Sequence, residues 1–304
     1  STVNGSSTMK RKDLTTEACS EILQMWLSFL TTQNKVVSET SQLMAGAKIY
    51  QGLTLLKNEF SKKVVGPDMC DRFRTIAIKD LENASQIYLQ MMQNSAQDQL
   101  DAINEYAVNI LEFLSSLCNV RFTEDELRTV LSCLGRLCCL DQNTIDDWQT
   151  DFNSFVSKET GLVASFTIRD QAAELLSSFD CQNYTAVLAL LLHELNQVPD
   201  LSDGWIFNES LLYLLQSLLL NESDSVKFTD ALTHFFTKLQ AILKSLSSTF
   251  VTCRIILLLP KLLEKVMDSF PNVKDLVQNF LFLSLDFALS HDSELIKSAA
   301  LIFF

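Results

Sequence analysis

The sequence predicts an all-α chain, a right-handed α-α superhelix of paired helices, and three observations carry that expectation. Only 7 Gly and 4 Pro stand in 304 residues, whereas sheet-rich folds need frequent Gly, Pro and Asn-Gly turns. No strand-like alternation of apolar and polar residues is sustained anywhere. Leu-rich amphipathic stretches recur at a fixed spacing, and at 47% hydrophobic residues they can bury a continuous core.

The spacing defines the repeat. Placing TIRDQAAELL (167–176) above LIKSAALIFF (295–304) sets Ile168-Arg169 on Ile296-Lys297, 128 positions apart. A third of that interval, about 43, is the length of a two-helix HEAT or armadillo unit. Arg254, in TCRIILLLPKLL, occupies one intermediate position; near 212 stands NESLLYLLQSLLL, helical but without the basic residue. The first three of these four helices are each followed by a second amphipathic helix, at 182–196, 225–246 and 271–290. The pattern is that of a solenoid of helical hairpins.

Upstream, the apolar periodicity predicts helices near 16–31, 39–60, 68–92, 97–119 and 123–140, with turns at 32–38 and at 60–68 around Gly66-Pro67. Thr123 and Glu126 form a capping box; Thr144 with Asp147 and Thr167 with Asp170 are weaker helix starts. Residues 1–13 are expected to be a disordered or linker N-terminus, and 14–304 one solenoid segment of about six to seven repeats. The period fails between 140 and 166, so a loop is expected there (141–165), inserted within a repeat or between neighbouring repeats. The final stretch SELIKSAALIFF is strongly apolar and lacks the polar outer side of a capping repeat, so the chain is expected to be a central segment of a longer protein.

Charge is unevenly distributed. The net charge is −13, and residues 137–226 hold 14 acidic side chains against only Lys158 and Arg169. That concentration suits a basic protein partner and argues against direct nucleic-acid binding; a solubilising surface is the alternative. Exposed partner-binding carboxylates are expected among Asp146, Asp147, Asp151, Glu159, Asp200, Asp203 and Glu209.

Signatures of chemistry are few. There is no GxGxxG, GxxxxGK[ST] or GxSxG, and His193-Glu194 is not followed by a second histidine one turn on. The eight cysteines include no CxxC, so they are expected to be reduced thiols in helices. No enzyme activity, cofactor or metal is expected. The longest apolar run, AVLALLL (186–192), is far short of a membrane span, and STVNGSSTMKRKDL is no signal peptide. A soluble intracellular protein is expected, with no membrane insertion.

The passage DWQTDFNSFVSKETGLVASFTIRDQAAELL (147–176) carries a family resemblance through Trp148, Asp151, Phe155, Val156 and Glu159, then Arg169, Ala172 and Leu175. It resembles the larger importin-β (karyopherin) receptors, where a Trp, an Asp and a Phe-Val pair precede a variable loop and an Arg-led helix. With ESLLYLLQSLLLN (209–221) and SELIKSAALI (293–302) the likeness points to the importin-nine-like branch, from about residue 39 to the end. It implies HEAT repeats and nuclear transport. The implied partners are basic cargo such as core histones and the TATA-binding protein, the GTPase Ran, and Phe-Gly nucleoporins. The implied location is cytoplasm and nucleus, with passage through the pore. A HEAT-repeat scaffold or adaptor outside nuclear transport is the alternative. The loop VSKETGLVAS departs from the family pattern, holding one Glu and one Lys where relatives often carry an acidic run.

Within the passage, Trp148, Phe152 and Phe155 are expected to dock into the core as loop anchors, because aromatic rings bury large area with few rotatable bonds. Residues 157–165 are then expected to form a mobile, partner-facing loop.

Overall fold

A computed structural model describes residues 4–32, 40–59, 66–94, 97–117, 121–162, 166–220, 230–245, 248–266 and 273–303. Among these residues there are fourteen α-helices and no strand, as the scarcity of turn residues requires. The helices fall into two units, Ser1–Leu117 and Cys118–Phe304, each described by itself. None of the helices is long and apolar enough to cross a membrane among the described residues.

The first unit holds α1 (Asn4–Thr32), α2 (Thr40–Glu59), α3 (Pro67–Asn94) and α4 (Gln97–Ser116). α1 starts inside the stretch expected to be a linker. Pro67 opens α3 at the one position where a missing N–H is harmless, and the carbonyl of Gly66 accepts from Met69 and Cys70. α2 and α3 both pack on α4. Leu43, Ala47, Tyr50 and Leu53 line one stripe of α2; Phe73, Ala77, Leu81 and Ala84 line one of α3; all are buried. Two glycines let rings approach α2 closely: a Cβ on Gly46 would lie 2.6 Å from Tyr106, and one on Gly52 would lie 2.5 Å from Trp26.

This core contains a carboxylate. Asp80 is 3% exposed and accepts a 2.7 Å hydrogen bond from the Tyr50 hydroxyl, with Tyr106 bonded to it as well. Burial raises its pKa above the ordinary Asp value, and the tyrosine hydrogen bonds and Lys79 offset that only in part. A folded pKa above the unfolded one gives a contribution fully present below the unfolded pKa and lost as pH rises through the folded pKa. At pH 7 the charged form is therefore a burden on this unit. Asp80→Asn keeps an acceptor for Tyr50 without the charge. It is expected to raise stability at pH 7 by about 1 kcal/mol and to lose that advantage below pH ~4. Urea denaturation at the two pH values checks this; a variant less stable at pH 7 would show that the carboxylate is needed as such.

The second unit holds α5 (Glu124–Leu137), α6 (Gln142–Thr150), α7 (Phe152–Glu159), α8 (Ile168–Ser177), α9 (Cys181–Gln197), α10 (Trp205–Leu219), α11 (Asp230–Ser245), α12 (Thr249–Val266), α13 (Val273–Ser290) and α14 (Glu294–Phe303). α8, α10, α12 and α14 stack in one layer, and α5, α9 and α11 in a second. These four stacked helices are the ones spaced at about 43 residues, the spacing of two-helix units. Each pairs with a helix preceding it: α9 packs on α10, α11 on α12 and α13 on α14, while α8 packs on α5. The chain between α5 and α8 thus lies inside a repeat, between its two helices.

Capping residues set the starts. The box of Thr123 and Glu126 opens α5, and Thr167 with Asp170 forms a complete box at α8. α6 begins earlier than the Thr144 start expected: Asp141 is its cap and accepts from the Thr144 N–H at 2.8 Å. A carboxylate one turn upstream does the same work.

Candidate functional site

Three of the four stacked helices, α8, α10 and α12, meet in a buried ion-pair network. Arg169 of α8, Glu209 of α10 and Arg254 of α12 are all buried. Glu209 accepts from Arg254 Nε at 2.8 Å and from both terminal nitrogens of Arg169. The second face of Arg254 meets Glu159 of α7 through paired bonds of 2.6 and 2.7 Å, with Gln216 Oε1 accepting at 3.0 Å. Arg169 Nε donates to the Cys138 carbonyl at the end of α5 at 2.8 Å. The Tyr213 ring sits beneath both guanidiniums, at 4.6 Å from Arg169 and 5.1 Å from Arg254, and its hydroxyl donates to the Arg169 carbonyl. Two positive and two negative side chains are thereby buried with their charges matched, the condition under which a desolvated charge is tolerated.

Burial by itself would raise the Glu209 pKa, but Arg169 and Arg254 together, by attraction and hydrogen bonding, hold it below the ordinary carboxylate value. Burial would lower the Arg254 pKa, and the pull of Glu159 and Glu209 raises it instead. Glu209 and the two arginines are therefore charged at neutral pH.

The inserted passage leads to this network. It forms two short helices, α6 and α7, where a loop was expected. Asp151 ends the first and caps the second, accepting from Asn153 N–H at 3.0 Å, and the Ser154 hydroxyl donates to Asp147. Trp148 and Phe155 are buried edge-to-face at 5.1 Å. Trp148 continues to Phe250 of α12 at 6.3 Å, and Phe250 stacks on Trp205 of α10 at 5.0 Å. Lys158 pairs with the cap residue Asp170 of α8 at 3.2 Å, and α7 also packs on α14. α7 closes at Gly161, whose φ of +68° is left-handed, with Leu162 N–H bonded to the Ser157 carbonyl.

Three expectations change. Phe152 is not an anchor: it is 41% exposed, because Asp151 breaks the helix just before it and turns the ring out. Glu159 and Glu209 are not surface carboxylates: both are committed to buried arginines. The expected loop 157–165 is helical through Glu159, and 163–165 lie outside the described residues. Asp146, Asp147, Asp151, Asp200 and Asp203 are exposed. Asp146 accepts from the Gln142 amide, and the backbone and side chain of Ser202 hold Asp200 below the ordinary carboxylate pKa.

In the other layer, a groove of ≈ 480 Å³ runs between α5 and α9, its apolar lining of Phe122, Leu127, Ala186, Ala189 and Leu190 interleaved with Arg121, Glu124, Arg128, Gln182, Asn183 and His193. A second hollow of ≈ 290 Å³ shares Arg128 and Leu190 and adds Phe207 and Leu211. His193 is thus an exposed residue of a mixed polar and apolar groove. Among the described residues no group of His, Cys, Asp and Glu could hold a metal. The sequence pointed to the arginines of the network through their repeat spacing, but their counter-ions were missed.

The model of a family described as Importin-9 central HEAT repeats matches residues 122–303, more than half of the chain and nearly all of the second unit. Importin subunit beta-5 of Saccharomyces cerevisiae (strain ATCC 204508 / S288c) is 34% identical over 302 residues, covering 97% of this chain and 29% of that protein. This chain spans under a third of that relative's length. The repeat geometry and the match over 122–303 agree, and the chain belongs to the importin-β family of HEAT-repeat nuclear transport receptors, in its importin-9 branch.

Proposed function

We propose that this chain is a segment of a nuclear import receptor for basic protein cargo, such as core histones or the TATA-binding protein, working under control of Ran-GTP. The observation that carries the reading is the match to Importin-9 central HEAT repeats across the second unit. The exposed carboxylates Asp146, Asp147, Asp151, Asp200 and Asp203 support it, since they lie on or near α6 and the turn before α10 and face solvent, Asp200 under the attraction of Lys238. Glu159 and Glu209 are withdrawn from that surface, which leaves a smaller negative face than residue counting implies.

The receptor would shuttle between cytoplasm and nucleus and dock Phe-Gly nucleoporins in apolar grooves. The groove between α5 and α9 has the room for a phenylalanine side chain, with Phe122, Leu127 and Leu190 among its lining. No catalysis is assigned: the exposed acids lie on open surface.

Titration against fluorescent core-histone dimers at two salt concentrations tests the cargo reading. Saturable binding that weakens at least tenfold from low to physiological salt is expected, because exposed charge pairs are screened within about 8–10 Å. Asp200→Asn/Asp203→Asn should weaken binding at low salt about threefold or more. A folded chain that does not bind would place cargo contacts elsewhere in the receptor. Binding of Phe-Gly peptides separates transport from a general scaffold, which has no need of them.

A further inference from the structure

In a helical solenoid each repeat touches mainly its neighbours, so rotations at successive interfaces are independent. The second unit breaks that rule in one place. The chain between α5 and α8 leaves its own repeat and reaches helices two and three repeats further on. Lys158 holds α7 to Asp170 of α8. Glu159, the next residue, grips Arg254 of α12 with two bonds, the pair being 7% and 1% exposed. Trp148 packs on Phe250, again of α12, and α7 lies against α14.

We infer that the α6–α7 insert is a brace that ties non-adjacent repeats into one stiff block. The α8, α10, α12 and α14 layer cannot change its pitch while α7 is seated, because a rotation at any one interface must carry the shared contacts with it. Arg254 is the pin. It joins the insert, through Glu159, to the layer, through Glu209, and Glu209 carries the connection on to Arg169 of α8. The strength of a buried bidentate pair lies in its geometry, so a small lift of α7 forfeits most of it. The brace is therefore two-state, seated or released. A partner contacting α7 would stiffen or free all four repeats of the layer at once.

Hydrogen–deuterium exchange of the whole chain tests it, with Glu159→Gln and the charge-balanced pair Glu159→Gln/Arg254→Gln. The double variant strands no buried charge, because Arg169 and Glu209 remain matched. α14 is the deciding readout, since it contributes no group to the network and meets the insert only by packing. Exchange at least tenfold faster in both α7 and α14, with α9 and α11 unchanged, is the expected result. Acceleration confined to α7 and the turn of α12 holding residue 254 would overturn the brace, making the insert a passenger. Loss of protection throughout the unit in the double variant, α9 and α11 included, would also overturn it, because the pair would then hold the fold rather than one face.

Discussion

Glu209→Ala is expected to destabilise the second unit by about 3–5 kcal/mol, the range for removing one partner of a buried ion pair. Glu209 is 1% exposed and, among the described residues, is the one carboxylate that bonds both Arg169 and Arg254. Without it Arg254 keeps Glu159 and Gln216, but among the described residues Arg169 keeps only the Cys138 carbonyl and the Tyr213 ring. One positive charge is then buried without a counter-ion, and a cavity adds to the loss. For a unit of this size each kcal/mol moves the melting temperature by about 2–4 °C, so a fall of roughly 10 °C is expected at pH 7. The effect has a sign in pH. Glu209 has a folded pKa below its unfolded value, so its contribution is present above the unfolded pKa, about 4.3, and is lost as pH falls through the folded one. Wild type and variant should therefore converge under strong acid. Urea denaturation at neutral and acidic pH measures both. A neutral-pH loss below about 1 kcal/mol would mean that water reaches the arginines and the network is not buried in solution.

The same residues show what was legible in the sequence and what was not. The interval of about 43 residues between Arg169, the helix at 212, Arg254 and Lys297 is a length constraint on repeats, and it placed the layer of α8, α10, α12 and α14 correctly. The gap in the basic pattern at 212 looked like an exception. It is the complement: in the middle helix Glu209 takes the place between two arginines. Lys297, the last of the series, pairs instead with Glu294 on its own helix. Charge counts carry no direction, so Glu159 and Glu209 were grouped with exposed acids. A cue was present in NES before LLYLL, where Asn208, Glu209 and Ser210 are all buried at the start of an apolar helix. α6 and α7 were hidden for another reason. Helices of 9 and 8 residues contain barely two turns, too few for a period to emerge from polar sequence. Ring area, the ground on which the three aromatics were expected to be anchors, does not tell which ring faces inward. Positions 148, 152 and 155 share a face only if the helix is continuous, and Asp151 interrupts it.

That interruption makes the second large prediction a contrast between neighbours. Trp148→Ala is expected to destabilise by about 3–5 kcal/mol, as for large aromatic truncations in cores, whereas Phe152→Ala should stay within about 0.5 kcal/mol. Trp148 is 4% exposed and touches both Phe155 and Phe250, so its loss opens a cavity between the insert and α12 and removes two ring contacts. Phe152 is 41% exposed, and water already covers much of what truncation would uncover. Trp148→Phe should recover more than half of the loss, because the site requires ring area more than an indole N–H. A double-mutant cycle of Trp148→Ala with Phe250→Leu resolves where the energy sits. Coupling of about 0.5–1.5 kcal/mol would place it in the contact between insert and repeat. Coupling near zero, with Trp148→Ala still severe, would confine it to the Trp148–Phe155 pair inside the insert. The insert would then fold as a self-contained hairpin of helices, held to the layer by the Glu159–Arg254 pair rather than by its aromatic face.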